Sequence, residues 1–244
     1  MIDKITGLIS VARDWDGIFA LLKWIPYSIT SYRMVARVKK VFPELGTIID
    51  GGANIGQFAR AVIENYPSAR IVSFEPLPDI AEKYRANLRD EKTVEVIAAA
   101  LGNRRGHITF HRNVHSHSSS ALALADRHKN AFPDAVQLED LEVPIVTLDQ
   151  ALRGQRMKGP VLLKLDLQGY EMEALKGARN TLKHVDAILL ETAFDPLYEN
   201  EVVFSDIDLY LRKKGFYFSR ALDFMKDRKG DIVQMDALFL RRRK

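Results

Sequence analysis

Apolar residues in the first 43 positions recur three and four apart, at Ile5, Leu8 and Ile9 and again at Ile18, Leu21, Leu22 and Ile25. This is the spacing of an amphipathic helix, punctuated here by Pro26 and Pro43. The pattern then changes to short β-rich runs, Thr47 to Asp50, Arg70 to Phe74, Val94 to Ala98, Val161 to Leu165 and Ala187 to Leu190, each apolar on both faces. Such strands lie inside a parallel sheet covered by helices, and Gln57 to Tyr66 and Asp79 to Leu88 have the length and composition of the covering helices. The pattern predicts a mostly parallel, doubly wound α/β sheet over 46–244, preceded by a helical extension over 1–45. An insertion after the third strand alternates His107 and Thr109 with Ile108 and Phe110 and reads as an added strand. Gly215 to Ser219 and Ala237 to Leu240 flank a turn-rich segment around Lys229, Gly230 and Asp231, which predicts an antiparallel closing pair.

Composition narrows this picture. With 244 residues, 47% hydrophobic and 28% charged, the chain can bury one substantial core and is not of disordered type. Without cysteine there is no disulfide framework or thiolate metal site, and no secretory signal is legible, so a cytoplasmic location is expected. Much of the net charge of +4 sits in Arg241, Arg242, Arg243 and Lys244, which does not imply a nucleic-acid partner. The apolar stretch Ile18 to Leu22 is broken by Lys23 and Pro26, far short of the roughly 20 residues that cross a bilayer, so no transmembrane helix is expected.

The candidate chemistry lies at the carboxyl ends of the strands, where ligands bind in open α/β sheets. The first strand ends in Asp50, Gly51, Gly52, Ala53, Asn54, Ile55 and Gly56, small residues that let a ligand approach the backbone at a helix N-terminus. The dinucleotide pattern GxGxxG is not met, because Asn54 holds the second glycine position and Gly56 comes one residue early. Asp50 can attract the ammonium of an amino-acid moiety, as in S-adenosylmethionine, or can simply cap the turn. Glu75, followed by Pro76 after the second strand, stands 25 positions beyond Asp50, where a carboxylate accepts hydrogen bonds from ribose hydroxyls. The small run through Ala100 and Leu101 can lie against an adenine ring. After the fourth strand, Asp166 and Glu171 flank the edge where a reactive sulfonium and an acceptor would meet, and either can serve as base for a hydroxyl. The alternatives are that Asp166 caps the turn or holds the ammonium, and that Glu171 only favours the helix N-terminus.

These residues fall in a series of separated motifs, DGGANIGQF at 50–58, FEP at 74–76, AALG at 99–102, SSS at 118–120, VPIVTLD at 143–149, LLKLDLQGYEMEALKGA at 162–178, LLET at 189–192 and DALF at 236–239. In order and spacing the chain closely resembles the FkbM-type methyltransferases over about residues 46–240. The resemblance implies a class I methyltransferase, Rossmann-like fold, S-adenosylmethionine as donor, and O-methylation of natural-product or carbohydrate hydroxyls. By motif position it assigns the cofactor to Asp50, Gly52, Ala53, Asn54, Gly56, Glu75 and the backbone near Leu101, with Asp166 at the active-site edge. Gly51 is a departure, since relatives commonly carry an apolar residue there.

Other signals are weaker. His107, His111, His115 and His117 are close together but nothing fixes them on one centre, so no metal site is expected, although His115 or His117 could take the acceptor's proton. Glu191 could join Asp166 around a divalent cation, position the substrate, or be the polar end of a strand. An NAD-dependent oxidoreductase is disfavoured by Asn54, and a base methylase by the absence of an Asn/Asp-Pro-Pro-aromatic motif at Asp166. A non-catalytic nucleoside-binding module stays open on fold alone. Trp15, Phe19, Leu22 and Trp24 could cover the sheet, form a lid, pair with a second subunit as a homodimer, or rest on a membrane surface.

Overall fold

The computed structural model describes residues 28–113, 119–122, 137–198, 201–227 and 229–242. The apolar face expected at Trp15, Phe19, Leu22 and Trp24, and the proton-accepting role considered for His115 and His117, lie outside the described residues.

A seven-stranded sheet forms the centre, in the order β3-β2-β1-β7-β8-β10-β9. Its strands are β1 (Thr47–Gly51), β2 (Arg70–Phe74), β3 (Val94–Ile97), β7 (Val161–Leu165), β8 (Ala187–Ala193), β9 (Phe216–Lys226) and β10 (Ile232–Arg241). The first five are parallel, and β10 enters antiparallel between β8 and β9. Strand order reverses beside β1, because the chain builds β2 and β3 on one side and returns to β7 on the other. The loops after β1 and β7 touch at Gly51 and Asp166 and then lead to helices on opposite faces of the sheet, and a crevice opens along the carboxyl edge there.

Alternation along the strands sends two apolar sets to opposite faces. Ile49, Leu163, Leu165 and Ile188 pack with Met172, Leu175 and Leu211. Ile48, Leu162, Leu189 and Leu238 pack with Val35, Val38, Phe58, Val62 and Tyr84. The first set is covered by α5 (Glu171–Lys176) and α6 (Phe204–Lys213), the second by α1 (Ile29–Lys39), α2 (Gln57–Asn65) and α3 (Pro78–Asn87). A further short helix, α4 (Leu148–Ala151), is capped by the Thr147 side chain, which accepts from Gln150 N–H. Thus Val35 and Val38, from the stretch read as an extension, belong to the core.

The insertion departs from the expected single strand. β5 (Gly106–Asn113) pairs antiparallel with β6 (Gln137–Val146), and β6 pairs parallel with β4 (Ala100–Leu101), giving a second, three-stranded sheet. The third strand accordingly stops at Ile97, because the chain leaves the central sheet to build β4. The closing pair is antiparallel, but both strands run on past the expected bounds, and their tips carry Asp223, Gln234 and Asp236 out over the crevice.

Candidate active site

The loop after β1 is held from three sides. Gly52 and Ala53 both donate N–H to Phe74 O at 3.0 Å, and Asn54 donates N–H to Glu75 Oε2 at 2.9 Å. Gly52 sits at φ 74° and Gly56, the N-cap of α2, at φ 93°. Asn54 at φ 48° takes the left-handed conformation that a glycine would, and its Oδ1 accepts from Ile55 N–H at 2.7 Å. From below, Lys164 on β7 donates to Gly51 O at 3.2 Å and Gly52 O at 3.0 Å. Its Nζ lies 3.1 Å from Asp50 Oδ1 and 3.6 Å from Asp166 Oδ2, and 5.5 Å above the Phe58 ring. Burial disfavours the ammonium, but Asp50 and Asp166 outweigh it and hold Lys164 charged, while burial pushes the Asp50 carboxyl up.

Glu75 is buried at 6% exposure and accepts one N–H on each oxygen, from Leu77 at 3.0 Å and from Asn54. Burial raises its pKa to about 7, against the two backbone donors. One lone pair on each oxygen remains for a ligand. Glu171, at 3% exposure, is likewise pushed by burial to about 8. A carboxyl raised in the folded state contributes stability that is present below its unfolded pKa and lost as pH rises through its folded pKa. The window for these two groups runs from about pH 4.5 to 8. Each contributes on the order of 3–5 kcal/mol, so the melting temperature of the ligand-free protein is expected to be highest near pH 5 and at least about 5 °C lower at pH 8. A profile flat or rising across that window in a thermal melt series would show these carboxyls to be solvated.

After β7 the chain turns sharply at Gln168 (φ 53°) and Gly169 (φ 94°). Glu171 braces this turn, since its Oε1 accepts the Leu167 N–H at 2.6 Å. Gln168 is a hub with no sequence signal. Its Nε2 donates to Asp166 Oδ1 at 2.8 Å and Glu191 Oε2 at 2.7 Å, and its Oε1 accepts from Tyr198 Oη at 2.6 Å. Its backbone carbonyl accepts from Ser120 Oγ at 2.7 Å, which ties the SSS motif to this edge.

The crevice opens into a cavity of about 550 Å³. Gly52, Ala53, Asn54, Glu75, Pro76, Ala100, Leu101 and Asp166 line it. Asp50, Gly51, Gly56 and Glu171 do not. The fully buried Asp50 carboxylate faces Lys164, so the reading of it as partner of a ligand ammonium gives way to one of positioning the loop. The Glu171 carboxylate is likewise committed to the turn, which removes it from the reacting edge. The far side of the cavity is built from Met34 of α1, Phe58 of α2, Glu191 of β8 and the β9–β10 tips. Of the histidines, His111 pairs through Nδ1 with Asp140 Oδ1 at 2.7 Å. No cluster of three or more metal-ligating side chains occurs among the described residues, and among them no helix is long and apolar enough to cross a membrane.

Residues 50–218 match the model of the Methyltransferase FkbM domain. Among curated proteins, "Methyltransferase 1" of Beauveria bassiana (strain ARSEF 2860) is 25% identical over 72% of this chain and 74% of its own length. "2-O-methyltransferase NoeI" of Sinorhizobium fredii (strain NBRC 101917 / NGR234) is 25% identical over 64% of this chain and 66% of its own. Among solved structures, EvdMO1 aligns with a TM-score of 0.51 at 13% identity, over 88% of this chain and 42% of that chain. The chain thus spans just under two thirds of NoeI and less than half of the EvdMO1 chain.

Proposed function

Because the chain belongs to the FkbM methyltransferase family and has the Rossmann-like fold of class I methyltransferases, we propose that it transfers the methyl group of S-adenosylmethionine to a hydroxyl of a small molecule or carbohydrate. The observation that carries this reading is the convergence on one cavity of the Gly52–Asn54 loop, a buried Glu75 with free lone pairs and the half-buried Asp166.

The residues fit such a donor. Gly52, Ala53 and Asn54 line the cavity just before the N-terminus of α2, so a carboxylate can approach the backbone there. Glu75 accepts from the ribose hydroxyls on its remaining lone pairs. Ala100, Leu101 and Phe110 offer an apolar wall to adenine. When bound, S-adenosylmethionine supplies a methyl group made electrophilic by the sulfonium.

Asp166, oriented by the Gln168 amide and by Lys164, holds the acceptor hydroxyl and takes its proton as the new oxygen–carbon bond forms and the carbon–sulfur bond breaks. Gln168, itself fixed by Tyr198 and Glu191, sets the angle of that carboxylate. The name of the relative NoeI, a 2-O-methyltransferase, supports oxygen as the methylated atom.

Calorimetric titration with S-adenosylmethionine and with NADH tests the donor. Saturable binding of S-adenosylmethionine is expected, weakened about 10- to 100-fold in Glu75→Ala and in the gentler Glu75→Gln, the range for a hydrogen bond to a charged group. Binding of NADH alone overturns the reading. On a hydroxyl acceptor that the wild type methylates, Asp166→Asn should lower turnover about a hundredfold while donor affinity changes less than threefold. Parallel loss of both would reassign Asp166 to holding the cofactor.

A further inference from the structure

The far wall of the cavity holds polar groups that the donor does not need. Glu191, Asp236 and Asp223 stand opposite one another across β8, β10 and β9, Asp236 being the register partner of both acids. Side chains directly opposite in an antiparallel pair share a face about 5 Å apart, and like charges so placed destabilise the sheet. All three line the cavity.

Their compensation is incomplete. Arg37 of α1 lies 3.5 Å from Asp223 Oδ2, the Gln168 amide donates to Glu191, and Lys164 serves Asp50 and Asp166 at the end of β7. The Asp236 side chain has neither a hydrogen bond nor an ion pair among the described residues, and burial, with Asp166 and Asp223 nearby, pushes its carboxyl up to about 7 against partial relief from Lys164 and Arg37.

A second, independent observation comes from Gln234, two residues before Asp236 and on the same face of β10. Its side chain lines the cavity at 5% exposure, and its amide has no hydrogen-bond partner among the described residues. A ligand entering the cavity can give that amide the partner the protein does not. Beside these groups, Phe224 and Met225 line the same wall at 49% and 38% exposure and give a ligand an apolar surface. β10 stands two strands from β7, about 10 Å at the usual strand spacing, which sets this wall beyond Asp166 as seen from the loop after β1.

We propose that the methyl acceptor carries a protonated amine near the hydroxyl that is methylated, and that Asp236, flanked by Glu191 and Gln234, receives that ammonium. The inference rests on the methyl-transfer reading. An ammonium answers three acids that share one arginine and a lysine already committed to Asp50 and Asp166, whereas a neutral polyol would desolvate them further and an acidic acceptor would be repelled. Gln234 accepts a second N–H or donates to a neighbouring oxygen.

The test uses the full chain saturated with S-adenosylhomocysteine, which lacks the sulfonium charge. Glucosamine, glucose and glucuronate serve as probes of one ring shape and three charges, titrated to 100 mM at constant ionic strength and followed by protein chemical shifts. Glucosamine is expected to bind at least fivefold more tightly than glucose, and glucuronate more weakly than either. Asp236→Asn, which removes an uncompensated charge and should fold, is expected to erase the difference between glucosamine and glucose while leaving S-adenosylhomocysteine affinity within twofold. Equal or reversed preference, no glucosamine binding at 100 mM, or an undiminished preference in Asp236→Asn overturns the proposal. So does a variant that loses S-adenosylmethionine affinity and keeps the preference, since the acids would then serve the sulfonium. Failure of the wild type to bind S-adenosylhomocysteine at all strikes the methyl-transfer reading instead, and the proposal falls with it.

Discussion

Gly52→Ala is expected to lower the stability of the protein by more than 3 kcal/mol and to weaken S-adenosylhomocysteine binding at least 30-fold. Two costs combine. At φ 74° an L side chain is strained by roughly 1–2 kcal/mol. In addition, a Cβ at this position would lie 1.9 Å from Asp166 O. The atom it meets is backbone at the end of β7, so no rotamer change relieves the contact. Either the loop after β1 lifts or the β7 end moves, and both line the cavity. Gly154 supplies the control, because it has the same φ of 74° and nothing within 4 Å of its would-be Cβ. Gly154→Ala should therefore cost only the strain, about 1 kcal/mol, or roughly 2–4 °C in melting temperature, and leave ligand affinity intact. Chemical denaturation of both variants beside the wild type decides the matter: equal losses would mean that the close approach of the two loops does not govern the site. Gly51 is different. Its backbone is not left-handed, and a Cβ there would meet the ends of Leu101 and Leu165, which can give way, so this departure from the family pattern leaves the loop usable.

The contrast between these glycines marks what could be read from the sequence. The strand, loop and helix around Asp50 to Gly56, the acid Glu75 and the acid Asp166 were legible because each is a local signal, a small or acidic residue just past an apolar run. The second sheet was only half legible: β5 alternates cleanly, but its partner β6 lies across an insertion, and pairing over that distance leaves no local signal of which segment is the partner. The closing hairpin was read too short for a related reason. Asp223, Gln234 and Asp236 break the apolar pattern of β9 and β10 where these line the cavity, so the polar lining conceals the strands that carry it. Asp50 and Glu171 are legible as acids at strand ends, but of the alternatives open to each the sequence does not choose, since position at a strand end does not reveal which way a carboxylate turns. Gln168 had no signal at all, for its role depends on a left-handed turn and on partners 23 and 30 residues further on. Lys164 did have one, a lysine in a run apolar on both faces, two residues before an acid.

That lysine carries the second large expectation. Lys164→Met is expected to cost about 3–5 kcal/mol, the range for leaving one member of a buried ion pair without its partner. The reasoning rests on what remains behind. Asp50 is fully buried, and without the ammonium its carboxylate must be ionised in an apolar interior or carry a proton. The carbonyls of Gly51 and Gly52 lose a donor in the same change, so the loop that Glu75 steadies from above is freed from below. Donor affinity should then fall together with stability, although neither Lys164 nor Asp50 is asked to touch the donor. The double variant Asp50→Asn with Lys164→Met separates the two contributions. Neutralising Asp50 removes the buried charge, and replacing a buried pair by neutral groups of similar volume is often tolerated. The double variant should recover at least half of the lost stability, as measured by denaturant titration, and its melting temperature should stop responding to pH through the ionisation of Asp50. Donor affinity should recover less, because the two carbonyls still lack their donor. Full recovery of both would reduce Lys164 to a counter-ion for Asp50. No recovery of either would show that the methionine, and not the orphaned carboxylate, disrupts the face of β7 beneath Phe58. A split outcome, stability regained and affinity not, is what the geometry requires of a residue that holds the shape of the loop.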